Sequence, residues 1–123
     1  MAQNLLEVNN LKTYFFTRSG VVKAAKAGVP IAFGTDAGSP VVPHDVIVPE
    51  LEFMVAQGIC ADNEHALQSI TSLSAKLNEV TDSRGALREG LTADVIVVDG
   101  DPVADLKALE RVEAVYLDGS RVV

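Results

Sequence analysis

The sequence predicts an α/β fold, and three patterns along the chain support this prediction. Residues 29–34 form a short apolar run that contains a proline and ends at a glycine, which is typical of a strand buried on both faces. Residues 49–77 carry apolar side chains at helical spacing, and residues 95–123 combine strand-like runs with turn signals. Helices between a buried strand and a β-rich segment indicate a mixed α/β architecture.

A carboxylate, Asp36, follows the first of these runs between two glycines. In α/β barrels the carboxyl ends of the strands open onto the substrate cavity, so a carboxylate at this place is a candidate catalytic group. The alternative is a turn residue or the N-cap of a following helix, which is the common role of an isolated Asp-Ala-Gly sequence. The residues alone leave both interpretations open.

Composition and charge restrict the functional classes. The chain has 123 residues, a net charge of −7 and a pI of about 4.6. Nucleic acid and anionic membrane surfaces are therefore not expected as partners, because both require clustered Lys and Arg. No apolar run reaches the roughly 18 residues that a membrane span needs. The single cysteine, Cys60, cannot form an internal disulfide and is expected to be a buried packing thiol, which is consistent with a cytoplasmic protein.

The N-terminal residues have a character of their own. Residues 4–16 are rich in Leu, Val, Tyr and Phe and predict a strand or hairpin, and the Ala-rich residues 21–28 predict a short helix ending at Gly28. Residues 1–24 also resemble the opening strand of peptide-transporter ATP-binding subunits. No Gly-x-x-x-x-Gly-Lys-Ser/Thr motif follows, so the backbone cradle for nucleotide phosphates is missing and ATP binding is not expected.

Two histidines are candidates for chemistry. His44 ends a proline-containing loop, residues 38–43, that should lie over the end of the predicted strand. It is either an exposed loop residue or a group that contacts substrate near Asp36. His65 lies among acidic and polar residues of a predicted helix and is expected to be a surface residue.

Two helices are predicted after this loop. Pro49 in a first turn, neighbouring acids and the terminator Gly58 define one helix, which should pack on the preceding strand. Asp62 is a predicted cap of a second helix, with a break near residues 71–72. The apolar positions of the second helix are Ala66, Ile70, Leu73 and Leu77.

The C-terminal residues predict a β-rich appendage. Residues 95–98 predict a strand, and Asp101-Pro102 should open a short helix. Residues 115–123 predict a hairpin on an Asp118-Gly119 turn, which is the strongest short-range hairpin signal.

Residues 25–123 resemble the closing segment of the amidohydrolase superfamily, in particular the metal-dependent hydrolases that include imidazolonepropionase and prolidases. The motifs that carry this resemblance follow the family's order and lie at residues 29–38, 49–55, 85–87 and 89–102.

The resemblance implies a partial (β/α) barrel segment with a small β-rich appendage from a composite β-sandwich. Residues 25–84 would hold the last barrel strand, the site loop and the helices, and residues 85–123 the β-sandwich segment. Residues 1–24 would be an N-terminal strand or hairpin of divergent origin.

The resemblance also implies hydrolysis of an amide or related C–N bond by water bound to a divalent metal, most often zinc. Asp36 would be a metal ligand and a proton carrier, and His44 would contact a small-molecule or dipeptide-like substrate. A catalytic zinc needs about three protein ligands, and the family's His-x-His motif is absent from this sequence. We therefore expect a C-terminal fragment that is inactive alone. The alternatives are a non-catalytic oligomerisation or interaction module, and a chimeric product of gene misassembly with a transporter ATPase N-terminus.

Self-association is a further expectation. A barrel strand with only its following helices should leave apolar side chains exposed, namely Ile31, Phe33, Leu51, Met54 and Val55. Burial of such a patch would favour a homo-oligomer, for example a dimer in which strands 29–34 are swapped or paired.

Overall fold

The computed structural model describes residues 23–35, 37–38 and 43–123. The predicted strand or hairpin at residues 4–16 lies outside the described residues. The described elements, in chain order, are α1 (Ile47–Ala56), α2 (Asn63–Ile70), α3 (Ser72–Leu77), β1 (Val95–Val98), a 3-10 helix (Leu106–Glu110), β2 (Val112–Leu117) and β3 (Ser120–Arg121). The described part of the chain is thus a mixed α/β structure, as the sequence predicts.

The helices follow the predicted cap and terminator signals. The Oδ1 atom of Asp62 accepts a 2.8 Å hydrogen bond from the backbone N–H of His65 and caps α2, as predicted. The predicted break is confirmed, since α2 ends at Ile70 and α3 begins at Ser72. Gly58 adopts a left-handed φ of +67° just after α1, which allows the chain to leave the helix.

The three strands form one antiparallel sheet in the order β1-β2-β3, with a register irregularity between Val97 and Val98. β2 and β3 form the predicted hairpin, and the turn residues Asp118 and Gly119 have φ values of +48° and +76°. Two positive φ values are what a type I′ hairpin turn requires. The predicted helix start at Asp101-Pro102 is wrong. The 3-10 helix begins at Leu106 and is capped by Asp105.

The core lies where α1, α2 and the 3-10 helix meet. It is formed by Val48, Leu51, Met54, Ile59, Cys60, Ala66 and Leu106. Helix α1 therefore buries apolar side chains against both α2 and the 3-10 helix. No helix in the described part of the chain has the length and hydropathy to cross a membrane.

The predicted strand at residues 29–34 is not a strand in the structure. Ile31 and Phe33 are half-buried and pack against the core, but these residues belong to no β ladder. A strand needs a neighbour that accepts and donates its main-chain hydrogen bonds, and no described strand lies in that position. The apolar run therefore packs through its side chains and through single backbone hydrogen bonds, such as the one from the N–H of Phe33 to the carbonyl oxygen of Ser69, and not through a β ladder.

The predicted exposed patch is also wrong in part. Leu51 is fully buried and Met54 is 7% exposed, because α2 and the 3-10 helix cover the face of α1 that carries them. Val55 is half-buried against the same core. Other large apolar side chains are exposed, among them Val29 of the run, Ile47 of α1, and Ile96, Val97, Val112 and Leu117 of the sheet.

Candidate functional site

Asp36, the predicted metal ligand, lies outside the described residues, whereas the residues on either side of it are described. The backbone N–H of Ala37 donates a 3.1 Å hydrogen bond to Oγ1 of Thr35. A side-chain hydroxyl that accepts from the N–H two residues on closes a tight local turn. The catalytic role of Asp36 stays a prediction.

The run that leads to Asp36 is attached to the end of α2. The backbone N–H of Phe33 donates a 3.1 Å hydrogen bond to the carbonyl oxygen of Ser69, and the hydroxyl of Ser74 donates to the same oxygen at 2.7 Å. Ser69 is fully buried, and its own hydroxyl donates to the carbonyl oxygen of Ala66. The carbonyl oxygen of Ser69 in α2 thus binds both the run at residues 29–34 and Ser74 of α3. These hydrogen bonds fix the position at which the run leaves the core.

His44 is exposed and lies beside Gly38. A Cβ atom built on Gly38 would be 3.5 Å from Cε1 and 3.7 Å from Nε2 of His44, so the imidazole ring stands close to the backbone two residues after position 36. The two ends of the predicted site loop are therefore near each other. Contact between His44 and substrate stays a prediction.

An open depression of about 340 Å³ adjoins His44. Its lining consists of His44, Asp45, Ile47, Val48, Leu109 and Glu110. Three of these residues are apolar and two carry carboxylates. Glu110 comes from the 3-10 helix, so this place joins the site loop to the C-terminal segment.

Sequence reasoning missed Glu110, because 66 positions separate it from His44 and no local motif connects them. Asp45 was within reach of a sequence argument, since it follows His44 directly. The proximity of His44 and Glu110 depends on the packing of α1 against the 3-10 helix.

His65 has a structural place that the sequence did not predict. The His65 side chain is half-buried, and its Nδ1 atom accepts a 3.2 Å hydrogen bond from the backbone N–H of Ala61. The backbone N–H of His65 donates to the carboxylate of Asp62. Both bonds satisfy groups at the first turn of α2. His65 therefore lies at the surface, as expected, and its side chain also accepts a hydrogen bond next to the start of α2.

Cys60 is buried, as predicted, with 1% of its surface exposed. Burial raises the pKa of its thiol, because the thiolate would lose its hydration, and a hydrogen bond with the Ser69 side chain acts in the opposite direction. Asp62 raises the pKa further through its negative charge. A buried thiol with a raised pKa is a packing residue, since the reactive form is the thiolate.

The described residues do not fit a metal ion by themselves. Within residues 23–35, 37–38 and 43–123, no group of three or more His, Cys, Asp or Glu side chains could hold one. A catalytic zinc needs about three protein ligands and one open position. Asp36 lies outside the residues that this search covers.

Comparison with known proteins identifies relatives of this chain. A model described as "Amidohydrolase family" matches residues 19–123. Ochratoxinase from Aspergillus niger is 34% identical over 92 residues, which are 75% of this chain and 18% of that protein. The likeness of residues 1–24 to transporter subunits has no counterpart in these matches and stays a prediction.

Solved structures agree with the sequence matches. An Xaa-Pro dipeptidase with bound methionine in the active site is 40% identical, with a TM-score of 0.75 over 84% of this chain and 24% of that chain. An amidohydrolase from Thermotoga maritima is 33% identical, with a TM-score of 0.70 over 87% of this chain and 26% of that chain. The A. niger ochratoxinase structure has a TM-score of 0.67 at 31% identity, over 84% of this chain and 24% of that chain.

The chain therefore spans about a quarter of the length of these solved relatives and a smaller share of the curated one. The family match covers most of its length, including the run before Asp36, the three helices and the sheet. This chain belongs to the amidohydrolase family.

Proposed function

We propose that this chain is the C-terminal part of a metal-dependent amidohydrolase that hydrolyses amide or related C–N bonds, and that it is inactive alone. The observation that carries the proposal is the pairing of a family match over residues 19–123 with coverage of about a quarter of each solved relative. Residues 25–84 would supply the last barrel strand and its helices, and residues 85–123 the β-sandwich segment.

Asp36 is the proposed metal ligand of this segment. Its carboxylate would hold the ion from the end of the run that Ser69 ties to the helices, and would take up and pass on a proton. A divalent metal, most often zinc in this family, would supply a water activated for attack on the C–N bond. A catalytic zinc needs about three protein ligands, so Asp36 would share the ion with further ligands.

His44 is the proposed substrate contact. The imidazole ring of His44 is exposed and lies beside Gly38. It is therefore close to the loop that contains position 36. The likeness to an Xaa-Pro dipeptidase supports a dipeptide-like or other small substrate. The single cysteine supports a cytoplasmic location.

A hybrid enzyme tests this proposal. Residues 25–123 would replace the part of the Xaa-Pro dipeptidase on which they superpose, and bound metal and hydrolysis of an Xaa-Pro dipeptide would be measured. We expect the hybrid to bind metal and to turn over. The Asp36→Asn hybrid should lose about 10²-fold or more in kcat/KM together with bound metal, because one ligand is gone.

Asp82→Asn is the matched control, since Asp82 is an exposed acid outside the proposed site. A folded Asp36→Asn hybrid with the metal content and rate of the Asp82→Asn hybrid would refute the role of Asp36. A folded parent hybrid that binds no metal would refute the hydrolase proposal for this segment.

The second candidate is a non-catalytic interaction module. The exposed apolar side chains of the sheet, which include Ile96, Val97, Val112 and Leu117, favour it. The hybrid enzyme separates the two hypotheses, because metal binding and turnover by the hybrid support the hydrolase segment, whereas a folded hybrid without metal supports the module. Stoichiometric zinc with turnover by the chain alone would contradict both hypotheses. The chimeric origin of the N-terminal residues stays a third possibility, which the reading frames that flank the gene would test.

A further inference from the structure

The carbonyl oxygen of Ser69 lies at the break between α2 and α3. In a helix that continued past this break, the oxygen would accept from the N–H four residues further along the chain. The backbone departs from the helix at Thr71, whose φ and ψ are −119° and −93°. The oxygen accepts from the backbone N–H of Phe33 at 3.1 Å and from the hydroxyl of Ser74 at 2.7 Å. The break thus makes a helix carbonyl available to the run at residues 29–34.

Both donors reach this oxygen in a place with little access to water. Ser69 is fully buried, Ser74 is half-buried, and Phe33 is half-buried and packs against the core. A carbonyl oxygen has two lone pairs, and here two donors use them. Removal of one donor leaves a buried acceptor without its partner, which is unfavourable. The hydroxyl of Ser74 therefore holds the Ser69 peptide in the orientation that also serves Phe33.

Phe33 lies three positions before Asp36, the proposed metal ligand. Between them begins the turn in which the backbone N–H of Ala37 donates to Oγ1 of Thr35. Only Gly34 separates Phe33 from this turn, so a shift of the Phe33 backbone moves the turn with it. The hydrogen bond of Phe33 and the turn together fix the described residues on both sides of position 36.

We propose that Ser74 is a positioning residue for the loop that contains Asp36, and that it acts through the carbonyl oxygen of Ser69. Its hydroxyl orients this oxygen, the oxygen holds the N–H of Phe33, and Phe33 holds the turn at the proposed metal ligand. Ser74 contacts neither metal nor substrate in this arrangement. The inference rests on the proposed function, because it assigns to Ser74 an effect on the metal affinity of this segment.

Thr71 offers a matched control at the same break. Its hydroxyl donates to the carbonyl oxygen of Leu67 at 2.7 Å. Thr71→Ala therefore removes a hydroxyl donor of the same kind and leaves the oxygen of Ser69 with both of its donors. Ser74→Ala removes the proposed donor, and Ser74→Thr keeps it. Ser74→Cys, whose thiol is a weaker donor, provides a second variant if Ser74→Ala does not fold.

Hydrogen exchange of single amides, measured by NMR on the full chain, tests the first step. We expect the Phe33 amide to exchange at least about tenfold faster in Ser74→Ala, and faster to a smaller degree in Ser74→Cys, because its acceptor is no longer held. Ser74→Thr and Thr71→Ala should leave this rate unchanged, and amides of α1 are the internal control for folding. Native exchange of Phe33 in Ser74→Ala, or in Ser74→Cys where Ser74→Ala is unfolded, would overturn the proposal. Equal acceleration in Thr71→Ala would overturn it as well.

The metal affinity of the hybrid enzyme tests the second step, because a purely structural serine would leave the affinity of a folded hybrid unchanged. In the hybrid, Ser74→Ala should weaken metal binding about tenfold, as loss of a residue that orients a ligand commonly does, and Ser74→Thr should restore the affinity of the parent. A folded Ser74→Ala hybrid with the metal affinity of the parent would overturn the positioning role. A parent hybrid that binds no metal refutes the hydrolase proposal instead, and the exchange of Phe33 then still decides whether Ser74 holds the run.

Discussion

Arg84 and Asp94 form an ion pair in which the guanidinium Nε donates a 2.7 Å hydrogen bond to Oδ2 of the carboxylate. The other oxygen of Asp94, Oδ1, accepts a 2.8 Å hydrogen bond from the backbone N–H of Asp118 in the hairpin turn. One carboxylate thus links the segment after α3 to the start of β1 and to the turn between β2 and β3. Its ionised form is the one that accepts both bonds.

This link predicts an acid-sensitive contribution to stability. The hydrogen bond from the Asp118 N–H, followed by the interaction with Arg84, lowers the pKa of Asp94 below its usual value. A carboxyl whose pKa is lower in the folded state stabilises the fold above its unfolded pKa of about 3.9, and the effect fades as pH falls toward the folded pKa. The difference in Tm between the native chain and Asp94→Asn should therefore be largest near neutral pH and should shrink below about pH 4.

Thermal melts between pH 3 and 8 measure this difference. The control is Asp82→Asn, which removes an exposed acid and should change Tm little at any pH. A Tm difference for Asp94→Asn that stays constant over this range would show that the charge of Asp94 is not what stabilises the link.

Asn63 connects the helices to the C-terminal segment. Its Nδ2 atom donates to the carbonyl oxygens of Val103 at 2.9 Å and of Ala104 at 3.4 Å. Asn63→Ala should lower the free energy of unfolding by about 1 kcal/mol, and Asn63→Asp should lower it more, because a carboxylate cannot donate to the two carbonyl oxygens. Urea denaturation measures both, with Gln68→Ala, an exposed α2 variant, as control. Equal stability of Asn63→Asp and the native chain would contradict the donor role.

Alanine variants of Gly85 and Gly90 distinguish the destabilisation caused by steric overlap from that caused by backbone strain. Gly85 has a φ of +95°, and a Cβ built on it would overlap the Cβ of Ala75. Gly90 has a φ of +87°, and a Cβ built on it meets no heavy atom within 4 Å. Gly90→Ala should cost about 1 kcal/mol through strain alone, whereas Gly85→Ala should cost about 2–4 kcal/mol through strain and overlap. Chemical denaturation compares them, and similar losses for both variants would show that the Ala75 contact yields freely.

Self-association through the apolar run stays a prediction. Val29 is 51% exposed, and residues 29–33 form no ladder in the described structure. We expect a dimer of twice 13.0 kDa in light scattering at micromolar concentration, in which this run pairs or swaps. A monodisperse monomer of 13.0 kDa with a cooperative melt would show that the burial of Leu51 and Met54 already suffices.

Local signals in the sequence determined much of the fold. The Asp62 cap, the break after Ile70 and the Asp118-Gly119 turn appear where the sequence predicts them. Each depends on backbone conformation and hydrogen bonds within a few residues, so the neighbouring sequence contains the whole cause.

The tertiary structure decided what depends on distant partners. The run at residues 29–34 has the sequence of a strand, but a strand also needs a neighbouring strand, and none is described beside it. His44 and Glu110 line the same depression only because α1 packs against the 3-10 helix, and no short motif in the sequence indicates that packing. The sequence by itself determined the caps, turns and apolar stripes and the family they resemble. Only packing decided which apolar side chains of the helices are buried and which edge of the sheet has no partner among the described residues. A side chain is buried only where a second surface covers it.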